Sequence, residues 1–267
     1  MSEACFDVRV FSVGSSRISG PEVFWMSDWG QELPLAFNVT LIQGHGIIAL
    51  VNTSPPETDG YARERFPQMR YLHEGPDGDL VRRDNEHLPA ALAQHGLTPQ
   101  DITHVLLTPL ELYTTGTLHL FTQAQICVTR RGWVHFHTTH EHPHDQRWRS
   151  FPEATLVDLV TASWDRVRLL SDEDQIAPGL RTWWSGAHHR ESMVVEVDTA
   201  AGVVAISDSF FYYENVEEGR MLGLCESFEE ALAVNARVLR TADHIVPIHD
   251  PKVFDRYPGG VISAGEG

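Results

Sequence analysis

Ile102-Thr103-His104-Val105-Leu106-Leu107-Thr108-Pro109-Leu110-Glu111-Leu112-Tyr113-Thr114-Thr115-Gly116 starts as an apolar β-type run and ends as a loop. The run covers His104 to Leu107. Beyond it, the side chains at every second position can be aimed by one loop at one point, which is how a short segment gathers several metal ligands or catalytic groups. Those positions hold Pro109, Glu111 and Tyr113, followed by Thr114. Proline offers no donor, so the chemistry of this loop falls to a carboxylate and a phenol.

Upstream, β-type runs punctuated by Gly, Asn and Pro predict strands over 6–13, 36–43 and 47–52, the last two joined as a hairpin by Gly44-His45-Gly46. Residues 53–84 are rich in Pro, Gly and charge without a clear period and are predicted as a long surface loop or lid. A helix is predicted from about Asn85 to His95, with Leu88, Ala91, Leu92 and His95 on one face and Gly96 as its stop. Downstream, strands are predicted at 124–129, 181–185, 193–198, 203–207 and 244–248. Ser227-Phe228-Glu229-Glu230 reads as a capping box that starts a helix carrying Leu232, Ala236 and Leu239. Strands and helices in this order predict a layered α/β domain with mixed sheets.

The 267 residues, 42% of them hydrophobic, suit one domain with one core. A formal net charge of −17 opposes phosphate backbones and anionic lipid, so neither nucleic acid nor membrane is an expected partner. The chain shows no leader-like start and no apolar run near the ~18 residues of a membrane helix. A soluble, cytoplasmic protein is expected. Cys5, Cys127 and Cys225 are odd in number and widely spaced, which predicts reduced thiols. Five histidines between His135 and His144 form a tract read as solvated surface with adventitious nickel or zinc binding.

Taken in order, several motifs resemble the metallo-β-lactamase fold superfamily, most closely its lactonase-like members. They are Glu32-Leu33-Pro34, Val51-Asn52-Thr53, Gly96 to Ile102 leading into the loop quoted above, Ser185-Gly186-Ala187-His188, Ser207-Asp208 and Val246-Pro247-Ile248-His249-Asp250-Pro251. The resemblance spans nearly the whole chain. It implies an αββα four-layer sandwich with a metal site, often a zinc pair, at one edge of the sheets. The family's His-x-His-x-Asp-His motif falls on Pro109, Glu111, Tyr113 and Thr114, so all four of its ligands are changed. His188, Asp208 and His249 match the later ligands, with His188 or His189 pointing inward.

Two metals need about six or seven ligands, a count this chain fails. Glu111, His188, Asp208 and His249 could together hold one divalent ion, Zn, Mn or Fe. The resemblance then implies a hydrolase of an ester, lactone or amide, with Asp208 or Glu111 taking a proton and Tyr113 donating to an oxyanion. Trp184, Phe211 and Tyr212 are candidates to bind an apolar or aromatic small molecule, beside Trp183, Phe210 and Tyr213. The other readings are a metal-free, non-catalytic binding protein, with Tyr113 and Thr114 packed where the metal was, and a mononuclear Fe(II) redox enzyme. Asp250 is expected to shape the loop after His249. Oligomeric state stays open, a homodimer included.

Overall fold

The computed structural model describes residues 5–57, 60–138 and 151–264. Its strands are β1 (Asp7–Ser19), β2 (Glu32–Gly44), β3 (Ile47–Val51), β4 (His104–Leu106), β5 (Gln125–Thr129), β6 (Val167–Leu170), β7 (Glu173–Ala177), β8 (Leu180–Trp184), β9 (Met193–Thr199), β10 (Gly202–Ser207), β11 (His244–Pro247) and β12 (Val261–Ser263). Seven form a sheet in the order β12-β1-β2-β3-β4-β5-β6, and five form a second in the order β11-β10-β9-β8-β7. Both are mixed: β3 to β6 run parallel after an antiparallel β1-β2-β3, and β11 joins β10 in parallel beside antiparallel neighbours. Buried residues from the two sheets, such as Val8, Leu41, Val105, Val195 and Ile206, belong to one apolar core. The alternation of side chains along each strand is what leaves one face apolar for this contact.

The β2–β3 hairpin turns at His45 and Gly46, both at positive φ (51° and 76°), a conformation that Gly adopts without a Cβ clash. The helix expected over 85–95 is shorter. Asp84–Glu86 is a 3₁₀ turn and the α-helix is Leu88–Ala93. Pro89 sits in its first turn, where a missing N–H costs nothing, while Glu86 is used locally, accepting the Arg83 N–H at 2.7 Å. Residues 53–84 are more than a surface loop. They carry the helix Gly60–Arg65 and bury Phe66, Met69, Leu72 and Leu80 in the core. Val81 bridges to Ser15 of β1. The weakly patterned β6, β7 and β12 had no clear sequence signal.

The helix Phe228–Thr241 lies on the second sheet, with Thr241 bonded to Glu196 of β9 and the Arg237 guanidinium over Trp183 of β8. Its buried face is Ala231, Val234 and Val238, whereas Leu232 and Leu239 are 57% and 58% exposed. The stripe that packs is thus a different one from the Leu232, Ala236 and Leu239 set at helical spacing. Ser227 caps as expected, its Oγ accepting the Glu230 N–H at 3.3 Å. Glu230 does not close the box; its carboxylate accepts the Ala187 N–H at 3.0 Å instead. Ser227→Ala should lower the unfolding free energy by about 1 kcal/mol in urea titrations, the usual worth of an N-cap. Among the described residues no helix is long and apolar enough to cross a membrane.

Candidate functional site

The end of β4 is clamped to the end of β3. Asn52, at φ 67°, donates through Nδ2 to the Thr108 carbonyl at 2.8 Å and accepts the Thr108 N–H at 2.7 Å. Thr53 donates from both N and Oγ1 to the Thr114 carbonyl, at 2.8 and 2.7 Å. Between these anchors Glu111 takes the N-cap position of a short helix, Leu112–Thr115. The Thr114 hydroxyl accepts the Glu111 N–H at 3.1 Å and lies 2.7 Å from the Pro109 carbonyl, to which it donates. Thr114 is thus spent on holding the loop.

A second loop leaves β8. Gly186 and Ala187 have φ of 56° and 62°, and a Cβ at Gly186 would stand 2.6 Å from the Glu230 carboxylate and 2.7 Å from the Trp184 ring. Gly therefore suits this turn, which sends both His188 and His189 inward. His188 donates from Nδ1 to the Leu224 carbonyl (2.7 Å) and His249 from Nδ1 to the Ala36 carbonyl (2.9 Å). Those bonds set the tautomer and leave each Nε2 a lone pair. Burial drives both rings toward the neutral form: His188 well below the usual imidazole range, further lowered by His189, and His249 down to about 4 against its bond to Ala36.

His189 is the opposite case. Burial disfavours its charge, but Glu226, Glu111, Glu191 and Asp208 outweigh that and lift it to about 9. Its Nδ1 lies 3.7 Å from Glu226 and its Nε2 3.9 Å from Glu111. Glu191 is pushed up by burial to about 7, against the pull of His189. Among these groups, Glu191 is the one placed to exchange a proton near neutral pH.

These residues surround a cavity of about 650 Å³, walled also by Phe37, Tyr113, Phe211 and, from the 53–84 segment, Met69 and Tyr71. Its floor is aromatic. The Phe211 ring meets His188 at 4.8 Å and His249 at 4.5 Å, and Tyr113 meets His249 at 5.2 Å and Phe37 at 5.8 Å. The Tyr113 hydroxyl is held far above its usual range by burial and by the nearby Glu111 and Asp208 charges, so it stays a phenol.

Asp208 stands apart. It is fully buried, is not on the cavity wall, and its two oxygens accept the hydroxyls of Thr108 and Ser192. Burial raises its pKa while those two bonds lower it. Both oxygens of the carboxylate expected to take a proton from a reacting water are thus engaged by hydroxyls, and its charge reaches the cavity wall by raising His189 and Tyr113. Two substrate-contact expectations also change. The guanidinium groups of Arg131 and Arg190 lie 4.3 and 5.3 Å from the Trp184 ring, and Tyr212 donates to the Pro34 carbonyl in a side cluster with Phe24. Neither lines the cavity, whereas Phe211 does. Asp250 shapes its loop, accepting the N–H groups of Tyr213 and Lys252 at 2.9 and 2.8 Å. Of the histidine tract, His135 is on the cavity wall and His137 donates back to the Trp133 carbonyl. His140, His142 and His144 lie outside the described residues.

The solved structures most like this one include an N-acyl homoserine lactone hydrolase with its product at a catalytic metal centre. It matches with a TM-score of 0.70 and 16% identity, over 95% of this chain and 96% of its own. This chain has the metallo-β-lactamase fold. A dizinc quorum-quenching lactonase matches at 0.63 and 12% identity over 99% and 96% of the two chains. A hydrolase of the beta-lactamase superfamily matches at 0.65 and 12% over 100% and 92%. No family sequence profile and no curated protein sequence matches the chain.

The fold implies a metal centre, and the donors here do not fit one. Pro109 has no donor, Thr114 serves the backbone, and Tyr113 packs its ring against His249. Asp208 is closed off by two hydroxyls. Glu111 faces His189. Among the described residues no three His, Cys, Asp or Glu side chains are grouped so that they could hold an ion. The set Glu111, His188, Asp208 and His249 is thus not brought together as ligands of Zn, Mn or Fe.

Proposed function

We propose that this chain is a metal-independent member of the metallo-β-lactamase fold that binds a small, partly apolar molecule in the 650 Å³ cavity. The observation that carries this reading is the Tyr113 ring packed against His249, together with an Asp208 satisfied by Thr108 and Ser192. Aromatic walls with a few polar groups are the usual make-up of a small-molecule site.

A second reading, hydrolysis of an ester, lactone or amide, is favoured by one observation: Glu191, at about 7, shares the cavity wall with the imidazolium of His189. In that reading water attacks the carbonyl carbon while Glu191 takes its proton and the His189 N–H donates to the developing oxyanion; the intermediate then collapses with cleavage of the C–O or C–N bond, and Glu191 returns the proton to the leaving alkoxide or amine. The mononuclear hydrolase and Fe(II) alternatives lose support because Asp208 is engaged by two hydroxyls and no three donors are grouped to hold an ion among the described residues.

Metal analysis of tag-free protein washed with chelator should find well below stoichiometric Zn, Mn and Fe, and adding these ions should leave the melting temperature unchanged. Stoichiometric metal that is lost in His249→Ala would sink the metal-independent reading. An ester and lactone panel separates the two readings. Turnover that drops by about 10²-fold or more in Glu191→Gln supports acid–base hydrolysis, and saturable binding without turnover supports the binding protein.

A further inference from the structure

The helix Phe228–Thr241 carries two apolar stripes. Ala231, Val234 and Val238 are buried against the second sheet. On the outer face Phe228, Leu232, Ala236 and Leu239 recur at i, i+4, i+8 and i+11, which is one line along a helical period. All four are exposed, Phe228 by 38% and Leu232 and Leu239 by more than half. The fold uses the inner stripe and leaves the outer one uncovered among the described residues.

The apolar surface continues past the helix N-terminus. The Trp25 ring meets Phe228 edge-on at 4.9 Å, and Met26 and Trp29 follow it, 62% and 67% exposed. Arg220 pins this loop through the Ser27 hydroxyl at 3.0 Å and the Asp28 carboxylate, so the exposed side chains ride on a fixed backbone. At ~150–250 Å² for a large side chain, the exposed fractions amount to roughly 600 Å² of apolar surface. The largest patch on a typical monomer is ~300–600 Å², and a stable interface takes ~800 Å² from each partner. Trp, Phe and Met are also the residues that interface cores enrich.

The charges on this face complement one another only between two copies. Glu229 in the first turn and Arg240 in the last are exposed and make no ion pair among the described residues. On one helix they stand about 16 Å apart, at 1.5 Å per residue, too far to meet. Laid antiparallel on a second copy, Glu229 comes opposite Arg240, Phe228 opposite Leu239, and Leu232 opposite Ala236. All three pairs centre within half a residue of Val234, so one twofold axis at that level satisfies them together. The small Ala236 beside the axis lets the two helices approach closely.

We propose that this face is the interface of a homodimer, made by antiparallel pairing of the helix Phe228–Thr241 across a twofold axis and extended at both ends by Trp25, Met26 and Trp29. The −17 charge of each chain opposes association. At physiological ionic strength that repulsion is screened beyond about 8 Å, whereas the apolar contact keeps its strength.

Sedimentation velocity of the full chain, from about 1 to about 100 μM in ~0.15 M salt, tests this. It should show a species of twice the 30.0 kDa chain mass. Leu232→Glu/Leu239→Glu should weaken the dimer about 10²-fold or more, because four charges would be buried at its centre. Both positions are on the surface, and the urea midpoint of the dilute variant checks that it folds. Glu229→Arg alone or Arg240→Glu alone should weaken the dimer about fivefold, and the two together should restore it. A wild type that stays monomeric throughout, or a dimer indifferent to Leu232→Glu/Leu239→Glu, overturns the proposal. Charge reversals that fail to restore each other overturn the antiparallel pairing. A monomer that cosediments with phosphatidylcholine vesicles, and ceases to in the same leucine variant, overturns the dimer in favour of a lipid surface.

Discussion

Asp208→Ala should lower the unfolding free energy by about 3 kcal/mol, since it strips the buried Ser192 hydroxyl of its acceptor, leaves the Thr108 hydroxyl only the Met193 carbonyl at 3.0 Å, and opens a small void. The carboxylate lies just past β10 and is the meeting point of three segments. Thr108 reaches it from the end of β4, and Ser192 from the turn before β9. The Thr108 hydroxyl also accepts the Met193 N–H at 2.9 Å, and the Ser192 hydroxyl accepts the His189 N–H at 3.1 Å. Losing Asp208 therefore loosens both loops that carry the cavity wall. Asp208→Asn keeps one acceptor, can donate to Ser192 and removes a buried charge, so it should cost only about 1 kcal/mol. Urea unfolding with metal analysis of both variants is the check. A residue whose work is to bridge metals would give the opposite pattern, with metal lost and stability little changed in chelated protein.

The fold was legible because it is written in punctuation and order. Gly44-His45-Gly46 between two apolar runs requires a tight antiparallel turn, and the strands around 104–107, 203–207 and 244–248 end where the polar residues begin. The site was legible only in part. Glu111, Tyr113, His188, Phe211 and His249 do reach one cavity. What the sequence could not show is the rest of the wiring. Nothing in Thr108 or Ser192 marks a hydroxyl that will close Asp208, because the contact is made across the sandwich. For Glu191, within the Ser185 to Ser192 turn, the signal in the sequence is a carboxylate two residues beyond paired histidines. In Phe210-Phe211-Tyr212-Tyr213 each ring goes its own way. Phe210 is in the core, Tyr212 bonds to Pro34, and Tyr213 lies under Arg256. Only the tertiary neighbours decide such a run.

The same titratable groups predict how stability depends on pH. His249 has an ordinary imidazole value of 6.5 when unfolded and about 4 when folded. Between those values the unfolded chain binds a proton that the folded one refuses. Stability is therefore lost as pH falls below 6.5, by about 3 kcal/mol in all for this residue. His188 acts in the same direction. Glu191 opposes them, rising from 4.5 to about 7, so that the folded state holds its proton and gains stability as pH falls through that window. His249 and Glu191 nearly offset each other between about 4.5 and 6.5, so His188 sets the sign of the acid limb and stability falls as pH falls. On the alkaline side His189 keeps its proton up to about 9, so its contribution is full below 6.5 and is lost as pH rises through 9. Stability should thus peak near pH 6.5 and fall on both sides. Urea unfolding of the wild type, His249→Asn and His189→Gln across this range separates the limbs. His249→Asn should flatten the acid limb and keep the alkaline one, and His189→Gln should do the reverse. Unchanged slopes in both variants would mean that these rings do not carry the protons assigned to them.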